Sequence, residues 1–157
     1  MKLSTRGRYG LAALYELALR SSDGPVSLRE VAEEQGLSEN YLEQLFLSLR
    51  RANLVTGVRG AQGGYLLARA ADDITVGDVI RALEGPIAPV SCVTEADLCN
   101  RGGAVGCPTR PVWVRLAECM SHVLDSITLA DLLVSDTAIS GRAKCDCRSC
   151  GVMVGRE

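Results

Sequence analysis

Apolar residues in the first half of the chain recur every three or four positions in three separate runs, which predicts three short amphipathic helices. The first helix starts at Ser4 or Thr5. The second opens with the capping box Ser27–Glu30 and stops at Gly36, and the third starts after Ser38. Their predicted buried positions are Leu11, Leu14, Tyr15 and Ala18 in the first helix, Leu28, Val31 and Ala32 in the second, and Leu42, Leu45, Phe46 and Leu49 in the third.

The hydrophobic period changes after the third helix. Leu54–Arg59 and Tyr65–Ala68 favour two strands, and Gly60–Gly64 between them supplies a glycine-rich turn. Two helices about a tight glycine turn, followed by a hairpin, predict a winged helix-turn-helix. The expected fold class is therefore mainly α with a small β-hairpin wing, an arrangement that usually binds DNA.

Two helices, and a short third one at residues 127–133, are predicted after the wing. One starts at the capping motif Thr75–Asp78 and ends at Gly85. The other, from Thr109 or Pro111 to about Ile127, carries two adjacent apolar stripes, more than one face of a small domain requires. The surplus stripe predicts a homodimer through paired long helices, with an intramolecular core helix as the alternative. The residues assigned to the dimer contact are Val112, Leu116, Met120, Val123 and Leu124.

These patterns divide the chain into four parts. Residues 1–84 form the winged-helix DNA-binding domain, and residues 85–110 form the linker and the cysteine loop. Residues 111–134 form the dimerisation helix and a short helix after it. Residues 135–157 lack periodicity and are expected to be a mobile tail that contains cysteines. A chain of 157 residues with 47% hydrophobic content is long enough to bury one core.

Charge is distributed unevenly between the two halves of the chain. The net charge is −2, but residues 1–69 carry 9 Lys and Arg against 7 Asp and Glu, whereas residues 70–157 carry 8 against 12. The basic excess therefore lies with the predicted DNA-binding part. Charged residues interrupt every apolar run near the N-terminus before it reaches membrane length, so we expect a cytoplasmic protein with no membrane partner. No nucleophile–base pair or phosphate loop indicates an enzyme.

The outward face of the third helix is polar and suits base reading. Asn and Gln can pair with adenine, Glu can accept from cytosine N4, and Arg can hold phosphates. Because phosphates repel a carboxylate, Glu43 indicates contact with bases; the solvated face of a protein–protein module is the alternative. The expected partner is a palindromic duplex. The residues assigned to DNA binding are Lys2, Arg8, Ser38, Asn40, Tyr41, Glu43, Gln44, Arg50, Arg51, Arg59, Gly60 and Gln62.

Three of the seven cysteines lie close together between the last two long helices. These loop cysteines are Cys92, Cys99 and Cys107, in the loop Ser91–Pro108, which three glycines loosen. Cysteines in a reducing compartment favour metal binding or redox chemistry over disulfides. Thiolates suit an iron–sulfur cluster or zinc. The loop has no pair of cysteines with the C-x-x-C spacing of a zinc knuckle, which favours the cluster over zinc. Plain redox thiols remain the third possibility.

The other four cysteines have simpler interpretations. Cys119 lies on an apolar stripe of the long helix and is expected to be a small core residue. The tail cysteines are metal ligands or oxidation-prone thiols; they are Cys145, Cys147 and Cys150.

Four motifs in order resemble the IscR-type iron–sulfur cluster regulators, a winged-helix family that also includes the nitric-oxide sensor NsrR. They are Met1–Tyr9, Tyr41–Phe46, Val58–Tyr65 and the three-cysteine loop, and the match covers about residues 1–134. The resemblance implies a homodimeric transcription regulator of cluster-assembly genes. It also implies a [2Fe–2S] cluster on the three loop cysteines whose occupancy alters DNA choice. The alternatives are a nitric-oxide- or redox-sensing regulator of the same fold and a zinc-stabilised winged-helix adaptor.

The chain departs from the IscR pattern at the fourth cluster ligand. Arg110 occupies the place of the family's histidine and cannot ligate, because it stays protonated. Arg8 occupies the place of the acidic ligand in the nitric-oxide sensors. His122, the only histidine, lies on the polar stripe of the long helix and is expected to be an exposed partner of Glu118 or Asp125. The positions left open for the fourth ligand are Glu95, Asp97 and the tail cysteines.

Overall fold

The structure is a computed structural model, and it describes residues 4–20, 22, 24–60, 63–95 and 107–134. The predicted fold class, mainly α-helical with a two-stranded wing, is confirmed. None of the described helices is long and apolar enough to span a bilayer. The elements are α1 (Thr5–Leu19), α2 (Leu28–Gln35), α3 (Glu39–Arg51), β1 (Val55–Val58), β2 (Gly64–Leu67), a 3₁₀ turn (Ala71–Asp73), α4 (Val76–Glu84), α5 (Ser91–Thr94), α6 (Arg110–Asp125) and α7 (Leu129–Leu133).

The first three helices start at the serines that the sequence predicts. The hydroxyls of Ser4, Ser27 and Ser38 accept hydrogen bonds from backbone N–H groups of the following turn at 3.1, 3.2 and 3.3 Å. These bonds satisfy donors that have no partner inside the helix. A capping box also requires the Glu30 carboxylate to accept from the Ser27 N–H, and among the described contacts of α2 that second bond is absent. The Glu30 carboxylate lies 4.0 Å from the Arg20 guanidinium.

Residues with positive φ set the turns around α3. Gly36, with φ of +62°, ends α2, and Asn53, with φ of +56°, turns the chain out of α3 into the wing. Gly60 has φ of +120° at the wing tip. A Cβ atom on Gly63 would lie 2.4 Å from the carbonyl oxygen of Val58, so the tip requires a glycine there.

The wing is a two-stranded antiparallel hairpin in which Val55 pairs with Leu67. Strand β1 is one residue shorter than predicted at each end, and β2 is shifted by one residue. A third contributor to the wing was not predicted from the sequence. Val26, just before α2, makes a bridge to Tyr65, with N···O distances of 3.0 and 2.8 Å. This bridge fastens the wing to the helix-turn-helix.

One main hydrophobic core joins α1, α2, α3, α4, β1 and α7. Phe46 is fully buried in it, with its ring centroid 4.8 Å from that of Tyr65. Leu129 of α7 is also fully buried in this core, and its N–H donates to Ile74 O at 2.9 Å. The C-terminal helices therefore share a core with the winged helix.

A smaller cluster holds α6 against α4. Val76, Ile80 and Ile87 are buried in it, and partly buried side chains from α6 and neighbouring elements pack on them. Met120 and Leu124, which the sequence analysis assigned to a dimer contact, belong to this group and therefore contact their own chain. The other apolar stripe of α6 faces outward, with Val112 and Leu116 exposed by 61% and 41%.

An ion-pair network also fixes α6 on α4. Arg81 of α4 donates to Asp125 of α6 at 2.5 Å and to Asp78 at 3.4 Å, and Arg69 lies 3.4 Å from Asp78. A Cβ atom on Gly77 would collide with the Asp125 carboxylate, so glycine permits this approach. Burial raises the pKa of Asp78, but the Thr75 N–H and the two arginines outweigh it and hold that pKa below its ordinary value.

We expect Asp78→Asn to destabilise the protein at pH 7 by roughly 0.5 kcal/mol, a modest value because the pairs are partly exposed. Folding lowers the pKa of Asp78, so its ion pairs stabilise the protein fully when the pH is above the pKa of the unfolded state. This stabilisation is lost as the pH falls through the pKa of the folded state. Denaturant unfolding at pH 7 and near pH 3 measures the difference. Asp72→Asn, at an exposed position, is the control. If wild type and Asp78→Asn differed equally in free energy of unfolding at both pH values, the stabilising role of the Asp78 carboxylate would be contradicted.

Candidate nucleic-acid interface and cysteine loop

The polar face of α3 points outward because the opposite stripe of the helix is in the core. Leu42, Leu45, Phe46 and Leu49 are fully buried. The residues assigned to base or phosphate contact on the other side are all exposed; they are Asn40, Glu43, Gln44, Arg50 and Arg51. No ion pair to Glu43 is found within the described ranges, so its carboxylate is available to accept hydrogen bonds.

An open depression of about 420 Å³ lies between the start of α1 and α3. The Arg6 guanidinium donates to Ser48 Oγ across it, at 3.5 Å. The basic start of α1 and the polar face of α3 therefore form one continuous surface, which we name the reading face. Lys2 and Arg8 were among the residues assigned to DNA binding from the sequence, and Arg6 was not. The residues lining the depression are Arg6, Tyr41, Gln44, Leu45, Leu47, Ser48 and Arg51.

Tyr41 packs against α1 and is only partly accessible at the surface. It is half-buried, and its ring lies edge-on to that of Tyr9, with centroids 6.2 Å apart at 87°. Its hydroxyl is buried without a hydrogen-bond partner among the described residues. The Arg8 guanidinium lies 5.7 Å from the centroid of the Tyr9 ring, a cation–π contact that leaves Arg8 exposed.

Glu84, the last residue of α4, anchors the start of α1. Its carboxylate Oε1 accepts hydrogen bonds from Ser4 N, Ser4 Oγ and Gly7 N, each at 3.0 Å. A carboxylate is favoured there by the helix dipole and by unpaired N–H groups. Gly7 makes room, because a Cβ atom there would lie 2.3 Å from Glu84 Oε1. The next residue, Gly85, has φ of +85° and begins the linker to the loop cysteines.

The wing tip carries further residues that were assigned to DNA binding from the sequence. Arg59 follows β1 and is exposed, as is Gly60. Gln62 and Lys2, also assigned to DNA, lie outside the described residues. Ser38 is exposed, but its hydroxyl caps α3 by accepting from Tyr41 N.

The two ends of the cysteine loop meet. Cys92 lies in the short helix α5, where the sequence analysis predicted irregular loop; this is a correction. Cys107 precedes α6 by three residues. Arg110, the first residue of α6, donates from Nε to the carbonyl oxygen of Cys92 at 3.3 Å, which closes the loop. Arg110 therefore closes the loop at the position where IscR-type regulators have a histidine ligand.

Part of the predicted ligand set can be tested against these positions. Cys92 and Cys107 are half-buried cysteines at the two ends of one loop, and Cys107 Sγ lies 3.3 Å from Thr109 Oγ1. Two sulfur donors in this placement fit a thiolate-bound cluster. The third loop cysteine, Cys99, lies outside the described residues, as does Asp97. Within the described ranges alone, no three His, Cys, Asp or Glu side chains form a group that could hold a metal ion.

The remaining candidate ligands are dispersed. Glu95 is exposed at the end of α5, and His122 is exposed on α6, as expected for a solvated residue. Cys119, which was expected to be a core residue and not a ligand, is only half-buried on α6. The three tail cysteines lie outside the described residues.

Comparisons with known proteins agree on one family. The sequence model of the Rrf2 family, described as iron-dependent transcriptional regulators, matches residues 3–135. The transcriptional regulator IscR of Photobacterium profundum is 44% identical over 144 residues, which are 90% of this chain and 82% of that protein.

Two solved structures share the fold at high identity. The structure of IscR from T. potens has a TM-score of 0.68 and 43% identity, and the match covers 99% of this chain and 94% of that one. The structure of CymR, the global cysteine regulator of B. subtilis, has a TM-score of 0.69 and 46% identity, covering 84% and 95%.

These relatives are named as regulators of transcription and not as enzymes, which confirms the prediction of a non-enzymatic protein. The resemblance to IscR-type regulators is confirmed as well, and CymR is an equally similar relative. With a family model that matches most of its length and relatives above 40% identity, the chain belongs to the Rrf2 family of winged-helix transcriptional regulators.

Proposed function

We propose that this protein is a homodimeric regulator of cluster-assembly genes that binds a palindromic duplex and adjusts its DNA choice to a [2Fe–2S] cluster. The observation that carries the proposal is the short connection between the reading face and the cysteine loop. Glu84 holds the start of α1, where Arg6 and Arg8 lie, and the linker to Cys92 begins at the next residue. A change at the loop is thereby connected to the reading face.

DNA contact is supported by the chemistry of the reading face and the wing tip. Asn40 and Gln44 can pair with adenine, and Glu43 can accept from cytosine, because all three side chains are exposed on one side of α3. Arg6 and Arg51 line the same depression as Gln44, and Arg59 is exposed at the wing tip; arginines in such positions can contact phosphates. The exposed face thus combines groups that read bases with groups that hold the backbone.

Dimerisation is supported by the apolar stripe of α6 that the chain itself leaves uncovered. Val112, Trp113 and Leu116 are exposed on the same helix, and Val123 is half-buried on it. Apolar side chains grouped on a helix face usually mark an interface. Because Met120 and Leu124 already pack in the chain's own smaller cluster, we limit the proposed dimer contact to the outer stripe.

Cluster binding is supported by the placement of Cys92 and Cys107 at the two ends of one loop and by the description of the family as iron-dependent. Together with Cys99 they would supply three thiolates. When bound, the cluster would supply a redox-sensitive tie between the two ends of the loop. Arg110 holds those ends together through the Cys92 carbonyl, and α6 begins at Arg110. A change in ligation can therefore move the dimerisation helix.

A second candidate function is a regulator of cysteine metabolism that uses the loop cysteines as plain thiols. The similarity to the global cysteine regulator CymR favours it, since that structure is as close to this chain as the IscR structure is. Anaerobically purified protein distinguishes the two candidates. Iron and sulfide with visible absorption support the cluster, and a colourless, metal-free protein with intact thiols supports the alternative.

We expect single Ala replacements of Cys92, Cys99 or Cys107 each to abolish the cluster or destabilise it severely, because only three loop thiolates are present. Iron and sulfide counts after anaerobic reconstitution measure the loss, and circular dichroism reports folding. Cys119→Ala is the matched control and should keep its cluster. A full cluster in any of the three loop variants would reject the assignment.

We expect Glu43→Ala to change base preference more than overall affinity, since a carboxylate discriminates bases but repels phosphates. A good base contact is worth about 1–3 kcal/mol of discrimination. Arg50→Ala should instead weaken binding to all sequences alike and reduce the salt dependence by about one counterion. Selection from randomised duplexes reports the first effect and salt titration the second. An unchanged selection profile for Glu43→Ala would show that Glu43 does not read bases.

We expect Leu116→Glu to raise the dimer dissociation constant roughly 100-fold, because two symmetry-related leucines leave the interface at about 1.5 kcal/mol each. DNA binding should weaken with it. Sedimentation equilibrium measures the change. Leu19→Glu, which alters a leucine exposed by 55% on α1, is the control and should leave the dimer intact. Equal effects of the two substitutions would place the interface elsewhere.

A further inference from the structure

The reading face contains one exposed apolar residue, Leu47, among polar neighbours. Leu47 is 43% exposed, although the stripe of α3 that builds the core lies on the other side of the helix. It follows Gln44 by three residues and Glu43 by four, and it precedes Arg51 by four. It therefore lies in the middle of the outward face. The core does not account for a leucine there.

The surroundings of Leu47 show what kind of group it can meet. It lines the depression between α1 and α3 together with Arg6, Gln44 and Ser48. The Arg6–Ser48 contact crosses the same depression. Tyr41 and Leu45 also line the depression, but Tyr41 is half-buried and Leu45 fully buried, so Leu47 is its one exposed apolar side chain. One exposed leucine beside polar and charged groups offers too little apolar area for a protein partner. It suits a small apolar group carried by a polyanion.

We propose that Leu47 is a specificity-determining residue that packs on the 5-methyl group of one thymine in each half-site of the DNA. This inference rests on the proposed function, in which α3 enters the major groove. Thymine is the only standard base that presents an apolar group there. Gln44, one turn earlier, can pair with an adjacent adenine, so the two side chains together select a short A/T step.

Deoxyuridine tests the proposal because it differs from thymidine only by the missing methyl group. Its pairing and its hydrogen-bonding edge are the same. Burial of one methyl group corresponds to about a fourfold gain in affinity, so loss of one in each half-site corresponds to about a 16-fold loss. The effect should occur at one symmetry-related pair of thymines and not at the others.

The experiment uses the full-length protein, purified anaerobically, on a site enriched from randomised duplexes. Each symmetric pair of thymines is replaced in turn by deoxyuridine, and affinities are measured for wild type, Leu47→Ala and Leu19→Ala. We expect wild type and Leu19→Ala to lose about 16-fold at one pair. Leu47→Ala should bind the thymine and uracil sites equally, with the core of α3 unaffected because Leu47 lies outside it.

Three results would overturn the inference. Wild type could tolerate deoxyuridine at every position, or Leu47→Ala could keep the full sensitivity of wild type. Either outcome would leave α3 as a DNA-reading helix and remove only the role of Leu47. Failure of wild type to enrich any site would reject the proposed function itself, and with it the contact with thymine.

Discussion

Burial of one side of α3 is the constraint on which the rest of the structure depends. Leu42, Leu45, Phe46 and Leu49 are fully enclosed, and each such side chain contributes about 1.5–3 kcal/mol on leaving water. A helix that places this stripe in the core has no freedom to rotate. Its polar residues must therefore face outward, and the positions of the wing and of α1 follow from contacts with the same helix. Phe46 holds the wing through Tyr65, and Tyr41 holds α1 through Tyr9.

A second set of contacts connects the reading face to the rest of the chain. Glu84 accepts hydrogen bonds from the start of α1, and Arg81, one turn earlier on α4, donates to the carboxylate of Asp125 on α6. The single helix α4 therefore contacts both the basic end of α1 and the proposed dimerisation helix. The cysteine linker leaves from its C-terminal end at Gly85. A regulator that links cluster binding to DNA choice needs such a junction, because the signal must reach both α1 and the spacing of two protomers.

Local signals in the sequence were sufficient for the helices and the wing. Serine caps, the glycine at the end of α2 and the period of apolar residues act over a few positions, so the chain shows them directly. Contacts between distant residues were not predictable in this way. The bond from Glu84 to Ser4 spans 80 residues, and the bridge from Val26 to Tyr65 has no local signature. Gly7 was the available hint, since a glycine inside a helix often marks close approach.

The two stripes of α6 show the same limit at the candidate sites. Periodicity revealed that both stripes are apolar, but only the fold shows that Met120 and Leu124 pack on α4 whereas Val112 and Leu116 face outward. Likewise, the polar pattern of α3 predicted a DNA-reading surface, but Leu47 within that surface was assigned neither to the core nor to DNA contact. Cys99 and the tail lie outside the described residues, so their part in the ligand set remains a prediction from the sequence.

The most direct measurement of coupling between the cysteine loop and DNA is the affinity of the full-length protein for its selected site, with the cluster reconstituted and with it removed. Buffer and salt must be identical, because phosphate contacts make affinity strongly salt-dependent. If cluster occupancy sets DNA choice, the two forms will differ in affinity by about 5- to 150-fold for at least one class of site, the usual range for coupled sites. Equal affinities across all selected sites would contradict a regulator whose DNA choice depends on its cluster.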